Sequence, residues 1–456
     1  MSFAHCGATK WIERGPSPPE RPRAPALIAV YRSTPGFLTN AATILVAAVL
    51  ALASHTPALA QTTDPTALLE HPGVRHALEH AIRIEPQTIE DQVAICEIPA
   101  PPFGEGPRAE DYKRRFEEIG LHNVRIDAEG NVIAERPGTG NGPVVVLSGH
   151  LDTVFPIETD VTVDRGGSIL LGPGISDDCR GLTVLLAIAR SLDAVQLQTD
   201  GTIIFVGTVG EEGSGNLRGV QHLFGEELRD RVDYFISVDG AGLSIVKDAV
   251  ASYRYRVTYE GPGGHSYGSF GMPNPIHALG RAIAKIADFR VPDVPRVTFS
   301  VGIIEGGTSV NSIAGTATME VDLRALDPRD LDILDQYFRL TLQEALAEEL
   351  ARWNSDIPLW IEIERWGDRP GGTQSSAALI VLAAQDAASA LGFRSGLATG
   401  STDANIPISL GVPSVTIGGG GTSGGVHSEH EWYDTTHSEL GTQWVLLFTL
   451  ALTGVR

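Results

Sequence analysis

The 456-residue sequence predicts an α/β protein: a mixed, mainly parallel sheet flanked by helices, with a second α+β domain inserted into it. Three observations predict this. Short, continuously apolar runs alternate with helical periodicity, which is how strands buried on both faces read. A stretch in the second half of the chain instead alternates every two residues, the mark of a strand with one wet face. The composition, 42% hydrophobic and 20% charged, is that of a soluble globular chain and excludes fibrous, disordered and multi-span membrane classes.

The chain opens on an address. Arg32 precedes an apolar run from Ala41 to Ala53, and Ala58-Leu59-Ala60 supplies small residues where signal peptidase acts. The run is shorter than the roughly 18 residues a membrane span needs. A secretory signal cleaved before Gln61 is therefore expected over an uncleaved anchor or a buried helix. The mature protein would be periplasmic or secreted, without a stable membrane anchor. Of 34 Lys/Arg and 56 Asp/Glu, five and two lie in residues 1–60, so the remainder carries a net charge of −25. Such a surface repels nucleic acid and anionic lipid, and neither is an expected partner.

Helical segments follow around His71–Arg83 and Gln87–Glu97, then a Pro/Gly loop at Pro99–Pro107 and a helix at Ala109–Ile119. Apolar runs at Val144–Ser148, Thr202–Thr208, Tyr234–Val238 and Ser414–Ile417 read as the strands of the main sheet. The helix Leu182–Leu192 places Leu182, Leu185, Leu186, Ala189 and Leu192 on one face. Residues 252–363 behave differently. A strand, Tyr253–Tyr259, precedes a helix beginning at Asn274-Pro275, an N-cap and first-turn pair. Strands at Val297–Ile304 and Thr316–Arg324 come next. The second sets Ala317, Met319, Val321 and Leu323 against Glu320, Asp322 and Arg324. A helix capped by Asp327-Pro328 runs to about Trp353, and Leu359–Ile363 closes the series. The order βαββαβ is the ferredoxin-like unit. The expected domains are a leader (1–60), a first catalytic part (61–250), the inserted ferredoxin-like lid or dimerisation domain (251–364) and a second catalytic part (365–456).

Three predicted strands run into metal-type ligands: Gly149-His150-Leu151-Asp152, Gly210-Glu211-Glu212 and Asp239-Gly240. A fourth group, Gly172-Pro173-Gly174-Ile175-Ser176-Asp177-Asp178, leads into the helix at Leu182. Open α/β sheets bind ligands outside the carboxyl ends of their strands. Imidazole with several carboxylates and no thiolate suits zinc, or another divalent first-row metal, in a hydrolytic site. His150 and Asp152 lie two apart on an extended segment, so Asp152 is placed to accept the other ring N–H of His150. Glu211 and Glu212 are adjacent and point apart, so one can bind metal while the other stays free as a base. Singly, each feature is also a turn, a helix cap or a solvated pair.

Together these motifs, with Gly263-Gly264-His265-Ser266 and Gly424-Gly425-Val426-His427-Ser428-Glu429, resemble in order and spacing the dinuclear zinc exopeptidase and amidohydrolase family of peptidase T, glutamate carboxypeptidase and succinyl-diaminopimelate desuccinylase. The loop Pro99–Glu105 and the Asp at 239 look most like its peptidase T-like members. The resemblance implies a zinc exopeptidase-like fold and two Zn²⁺ ions, with Co²⁺ or Mn²⁺ as possible substitutes. It implies that His150 and Asp239 hold one ion, that Glu212 and His427 hold the other, and that Asp177 bridges both. Asp152 would orient His150, and Glu211 would be the general base. His430 and His437 are rivals of His427 by spacing alone. His265 would reach the active site across a homodimer and polarise the substrate carbonyl. Asn311 and Arg324 would hold polar groups of the substrate, although Arg324 has Glu320 and Asp322 on its own strand face. Ser401-Thr402-Asp403-Ala404-Asn405 resembles a loop near the substrate. The implied function is a metal-dependent exopeptidase acting on short peptides. The alternative is a carboxypeptidase or N-acyl-amino-acid amidohydrolase with the same centre. A non-catalytic metal-retaining protein would have no need of the free carboxylate at Glu211.

Cys6 falls in the leader. Cys96 and Cys179 remain, with no Cys-x-x-Cys pattern, and in an exported protein they are free to pair. Two isolated, small apolar residues is the expected reading.

Overall fold

In the computed structural model, residues 62–456 are described, apart from residue 355. The leader and its expected cleavage before Gln61 lie outside the described residues. An eight-stranded sheet runs in the order His122–Ile126, Val132–Arg136, Thr202–Thr208, Val144–His150, Tyr234–Val238, Ser414–Ile417, Ile245–Ala249, Leu397–Gly400. Strands 202–208, 144–150, 234–238 and 414–417 are parallel to one another, with antiparallel neighbours on either side. The sheet is thus mixed and parallel at its centre, as expected.

The apolar runs are continuous because both faces are covered. Val145, Leu147, Ile203 and Phe205 point into a large core beneath helices Pro72–Arg83, Cys179–Ala194, Leu379–Ala390 and Glu439–Thr453. Their neighbours Val146, Ile204 and Val206 pack on the opposite face against Leu217, Val220, Phe224 and Ile406. Helix Cys179–Ala194 differs from expectation: Val184, Ala187 and Ile188 are as fully buried as the predicted face. It lies between the sheet and other helices, so every side needs apolar residues. Its first turn presses on the sheet. A Cβ at Gly181 would stand 2.1 Å from the Val238 carbonyl, which only glycine permits.

A second, four-stranded antiparallel sheet has the order Val297–Gly306, Thr316–Ala325, Ala251–Glu260, Trp360–Arg369. Helices Pro275–Ala287 and Pro328–Trp353 cover one face, over a core of their own that includes Tyr255, Val257, Tyr259, Met319, Leu323 and Phe338. Asn274 caps the first helix by accepting from the Ile276 N–H, and Asp327 caps the second by accepting from that of Arg329. Ala317, Met319, Val321, Leu323 and Ala325 are the buried half of their strand, as the alternation requires. The last strand does not stop near Ile363. It continues to Arg369, with a bulge between Arg365 and Gly367, and carries the chain back to the large sheet. Among the described residues no helix is long and apolar enough to cross a membrane.

Cys96 and Cys179 are joined by a disulfide, with Cα atoms 5.6 Å apart, which overturns the reading of two isolated thiols. The ends of helices Glu85–Cys96 and Cys179–Ala194 meet there, in a small cluster with Val163, Ile175 and Tyr433. Residues 83 apart in sequence gave no geometric clue to this.

Candidate metal centre

The parallel strands deliver their ligands to one end of the sheet. His150 is the last residue of its strand and is buried. Its Nε2 lies 2.9 Å from Asp177 Oδ1 and 4.0 Å from Asp239 Oδ1. The second oxygen of Asp177 faces another histidine: His427 Nε2 is 3.2 Å from Asp177 Oδ2 and 2.9 Å from Glu212 Oε1. Asp177 therefore presents one oxygen to each of two imidazoles, with Asp239 beyond the first and Glu212 beyond the second. All five expected ligands are brought together. Among the described residues, His430 and His437 do not share these contacts; His437 Nδ1 lies 3.7 Å from Glu439 Oε1 instead.

The electrostatics are those of a cation site. Burial opposes charge on His150, yet Asp152, Asp177 and Asp178 push its pKa well above the ordinary value. His427 is raised to about 10 by its bonds to Asp177 and Glu212. Burial, then the Asp177 charge, drives the Asp239 carboxyl well above its usual range. Six carboxyl groups, from Asp152, Asp177, Asp178, Glu211, Glu212 and Asp239, crowd around two histidines and Arg369. Metal cations at His150/Asp177/Asp239 and Asp177/Glu212/His427 would neutralise that excess. The nitrogen and oxygen donors present fit zinc or a similar divalent ion.

Several supports were not foreseen. Asp152 was expected to orient His150 through its carboxylate. The closer acceptor of the His150 Nδ1–H is instead the Asp152 backbone carbonyl, at 3.0 Å, with the carboxylate at 3.7 Å. That carboxylate takes the backbone N–H groups of Glu211 and Glu212, at 3.0 and 2.8 Å, and so positions the Glu pair. Asp152 is buried, which raises its pKa, but His150 and these two N–H groups hold it below the ordinary value. Asp178 caps the helix at Gly181 and also accepts from the N–H groups of His150 and Gly240, tying two strand ends together. The Asp177–Asp178 peptide is cis. Glu431 is fully buried and accepts from the N–H groups of Gly174, Ser176 and Asp177 and from the Ser176 hydroxyl. It fixes the loop that offers Asp177. His427 adopts a left-handed φ of 64°, a conformation uncommon outside glycine.

Glu211 stays out of the ligand chain. Burial pushes its carboxyl up to about 8, with Arg369 opposing and Glu212 adding to the shift. A carboxyl titrating near neutrality suits proton transfer. Arg369 Nη1 lies 3.2 Å from Glu211 Oε1, and Nη2 donates to the Glu211 carbonyl. Ser401, from the loop flagged near the substrate, places its hydroxyl 3.3 Å from Arg369 Nη1.

Among the described residues, the remaining expected site residues make no direct hydrogen bond or ion pair with this cluster. His265 is exposed on a two-residue strand paired with Ser312-Ile313, and its Nδ1 accepts from the N–H groups of Tyr267 and Gly268. Asn311 sits in the same corner, bonded to Ser309. Arg324 pairs with Asp322 at 2.6 Å and lines a cavity of about 410 Å³ with Arg296, Thr298 and Ser401.

The sequence model of peptidase family M20/M25/M40 matches residues 146–451. The succinyl-diaminopimelate desuccinylase of Corynebacterium glutamicum is 27% identical over 343 residues, 72% of this chain and 87% of that one. Among solved structures, aminopeptidase PepT from Bacillus cereus superposes with a TM-score of 0.64 at 21% identity, over 81% of this chain and 98% of its own. The Bacillus subtilis YXEP protein, described as a dinuclear metal binding peptidase of the M20 family, gives 0.60 at 16% identity, over 82% and 99%.

Proposed function

The chain belongs to the peptidase M20/M25/M40 family of amide and peptide hydrolases, and from that premise we propose that it is a two-zinc exopeptidase cleaving an amide bond near the end of short peptides. One observation carries the reading: Asp177 faces His150 with one oxygen and His427 with the other, beside a buried carboxyl, Glu211, that binds neither. His150 and Asp239 would hold one zinc ion, Glu212 and His427 the other, and Asp177 both; Co²⁺ or Mn²⁺ would substitute. When bound, such a pair lowers the pKa of a shared water and polarises a carbonyl.

The chain's own groups do the rest. Glu211 takes the water's proton, and the oxygen attacks the scissile carbonyl carbon. Glu211 then returns the proton to the leaving amine as the carbon–nitrogen bond breaks. Asp152 keeps Glu211 and Glu212 in register through their backbone N–H groups. His265 would act in the active site of a second copy, donating to the developing oxyanion. Its exposure in the single chain supports that reading. The edge strand Val297–Gly306 leaves Ile303 and Ile304 51% and 63% exposed, which fits an isologous pairing of two insert domains. Asn311 and Arg324 would hold the polar end of the substrate. The Cys96–Cys179 disulfide supports export to an oxidising compartment, in line with cleavage before Gln61.

Similarity to desuccinylases favours a second reading, an N-acyl-amino-acid amidohydrolase or carboxypeptidase with the same centre. Product analysis on tripeptides labelled at each terminus, beside N-succinyl and N-acetyl amino acids, separates the two. Release of the N-terminal residue supports an aminopeptidase, and release of acid from acyl amino acids supports the alternative. Undiminished hydrolysis after chelation and verified metal loss would overturn both.

A further inference from the structure

The insert does more than stand beside the metal centre: its sheet grips the segment that carries the base. Arg254 and Arg369 lie on adjacent antiparallel strands, in register with Gly367 and Ser252, where the chain passes between the two sheets. Arg254 Nη1 donates to the Gly213 carbonyl at 2.6 Å. The Asp368 N–H donates to Asn216 Oδ1 at 3.0 Å. Arg369 takes Glu211 at two points, its carboxylate and its backbone carbonyl. Residues 211–216, which include the base and the metal ligand Glu212, are thus held by three residues of the insert strands.

Among the described residues, Arg369 is the hydrogen-bond donor to the Glu211 carboxylate. It is 3% exposed, and among the described residues its buried Nε has no hydrogen-bond partner. A guanidinium forgoing a hydrogen bond in order to sit at one carboxylate needs a reason. Its planar fork sets distance and direction together, which a lysine ammonium cannot do. We propose that Arg369 is the positioning residue of Glu211, with Arg254 as its auxiliary, so that the insert's placement on the large sheet sets the aim of the base. This rests on Glu211 being the base.

The test uses the full zinc-loaded chain and a tripeptide it hydrolyses. Misplacing a reacting group by about 1 Å costs on the order of 10²-fold. Arg369→Ala should keep two zinc ions per chain by elemental analysis, lower kcat about 10–10²-fold and leave KM within about threefold. Arg369→Lys should lose less, and added guanidinium should restore part of the Arg369→Ala rate but none of that of Glu211→Gln. In a Glu211→Gln background, Arg369→Ala should cost little more, because the two act as one unit. A raised KM with kcat retained, or losses that simply multiply in the double variant, would overturn the proposal. If Arg369→Ala does not fold, Arg369→Lys and the double-variant cycle built on it decide. Loss of zinc-dependent turnover in Glu211→Gln alongside unchanged Arg369 variants would refute this inference and leave the function standing. A Glu211→Gln chain as active as the parent would remove the function's base itself.

Discussion

Breaking the Cys96–Cys179 bridge tests the link between compartment and stability. The two residues close a loop of 83 positions, and both side chains are fully buried. Closing such a loop in the unfolded chain removes entropy worth about 4.5 kcal/mol at 25 °C in the chain-entropy treatment. That is a large share of the 5–15 kcal/mol typical of a native protein. The Cys96→Ala/Cys179→Ala double variant avoids an unpaired reactive thiol. It also deletes two sulfur atoms from the cluster with Ile175 and Tyr433, so the loss should be at least as large. With a urea m-value of about 3 kcal/mol/M, the midpoint should fall by about 1.5 M. Urea titrations of the oxidised, fully reduced and double-alanine proteins, followed by tryptophan fluorescence, measure it. The reduced and double-alanine curves should lie close together, well below the oxidised one. Coincident midpoints for the oxidised and reduced proteins would refute the reasoning.

Other expectations follow from the same geometry. Glu211→Gln should retain two metals and lose about 10²–10⁴-fold in turnover, as measured by elemental analysis and initial rates; metal loss would make Glu211 a ligand. The His427 pKa is raised to about 10, so the metal-free centre holds protons at neutral pH that zinc must displace. Apparent zinc affinity should therefore rise with pH, about tenfold per unit for each proton released, and a pH-independent affinity in competition titrations would contradict this. Mixing inactive His265→Ala and Glu211→Gln chains, with exchange proven, should restore part of the activity if His265 works in the partner's site; no recovery would place it in its own chain or outside catalysis. Asp327 is lowered to about 2 by Arg329 and by the backbone bond of its cap. Its folded pKa is depressed, so its contribution is present above about pH 4 and fades as pH falls toward 2. Asp327→Ala should therefore narrow the stability gap to the parent at pH 2 relative to pH 7, as seen by acid titration of the far-ultraviolet circular dichroism signal.

How much of the site was legible in the sequence depended on the range of each interaction. His150, Glu212 and Asp239 follow buried strands, so local pattern and strand-end placement reveal them. Asp177 and His427 needed a motif as well. The supporting residues act across the fold. Arg369 meets Glu211 158 residues away, and Glu431 meets Ser176 at a separation of 255. In sequence both are ordinary charged residues. For Arg369 the local pattern misleads: two-residue alternation ends at Ile363, Glu364 and Arg365 are both exposed, and a bulge between Arg365 and Gly367 shifts the register before the strand reaches the site. Asp152 shows the limit of spacing arguments. Two residues apart on a strand put it beside His150, but the backbone carbonyl takes the ring N–H while the carboxylate turns to Glu211 and Glu212. Helix Cys179–Ala194 reads as amphipathic only if one face is assumed wet, and the layers on both sides remove that face.

The central claim is that Asp177 bridges two metal ions. Anomalous diffraction at the zinc edge, from crystals of the zinc-loaded protein, tests it most directly. Two peaks are predicted, one among His150, Asp177 and Asp239 and the other among Asp177, Glu212 and His427. A single peak, or zinc bound away from Asp177, would contradict the account.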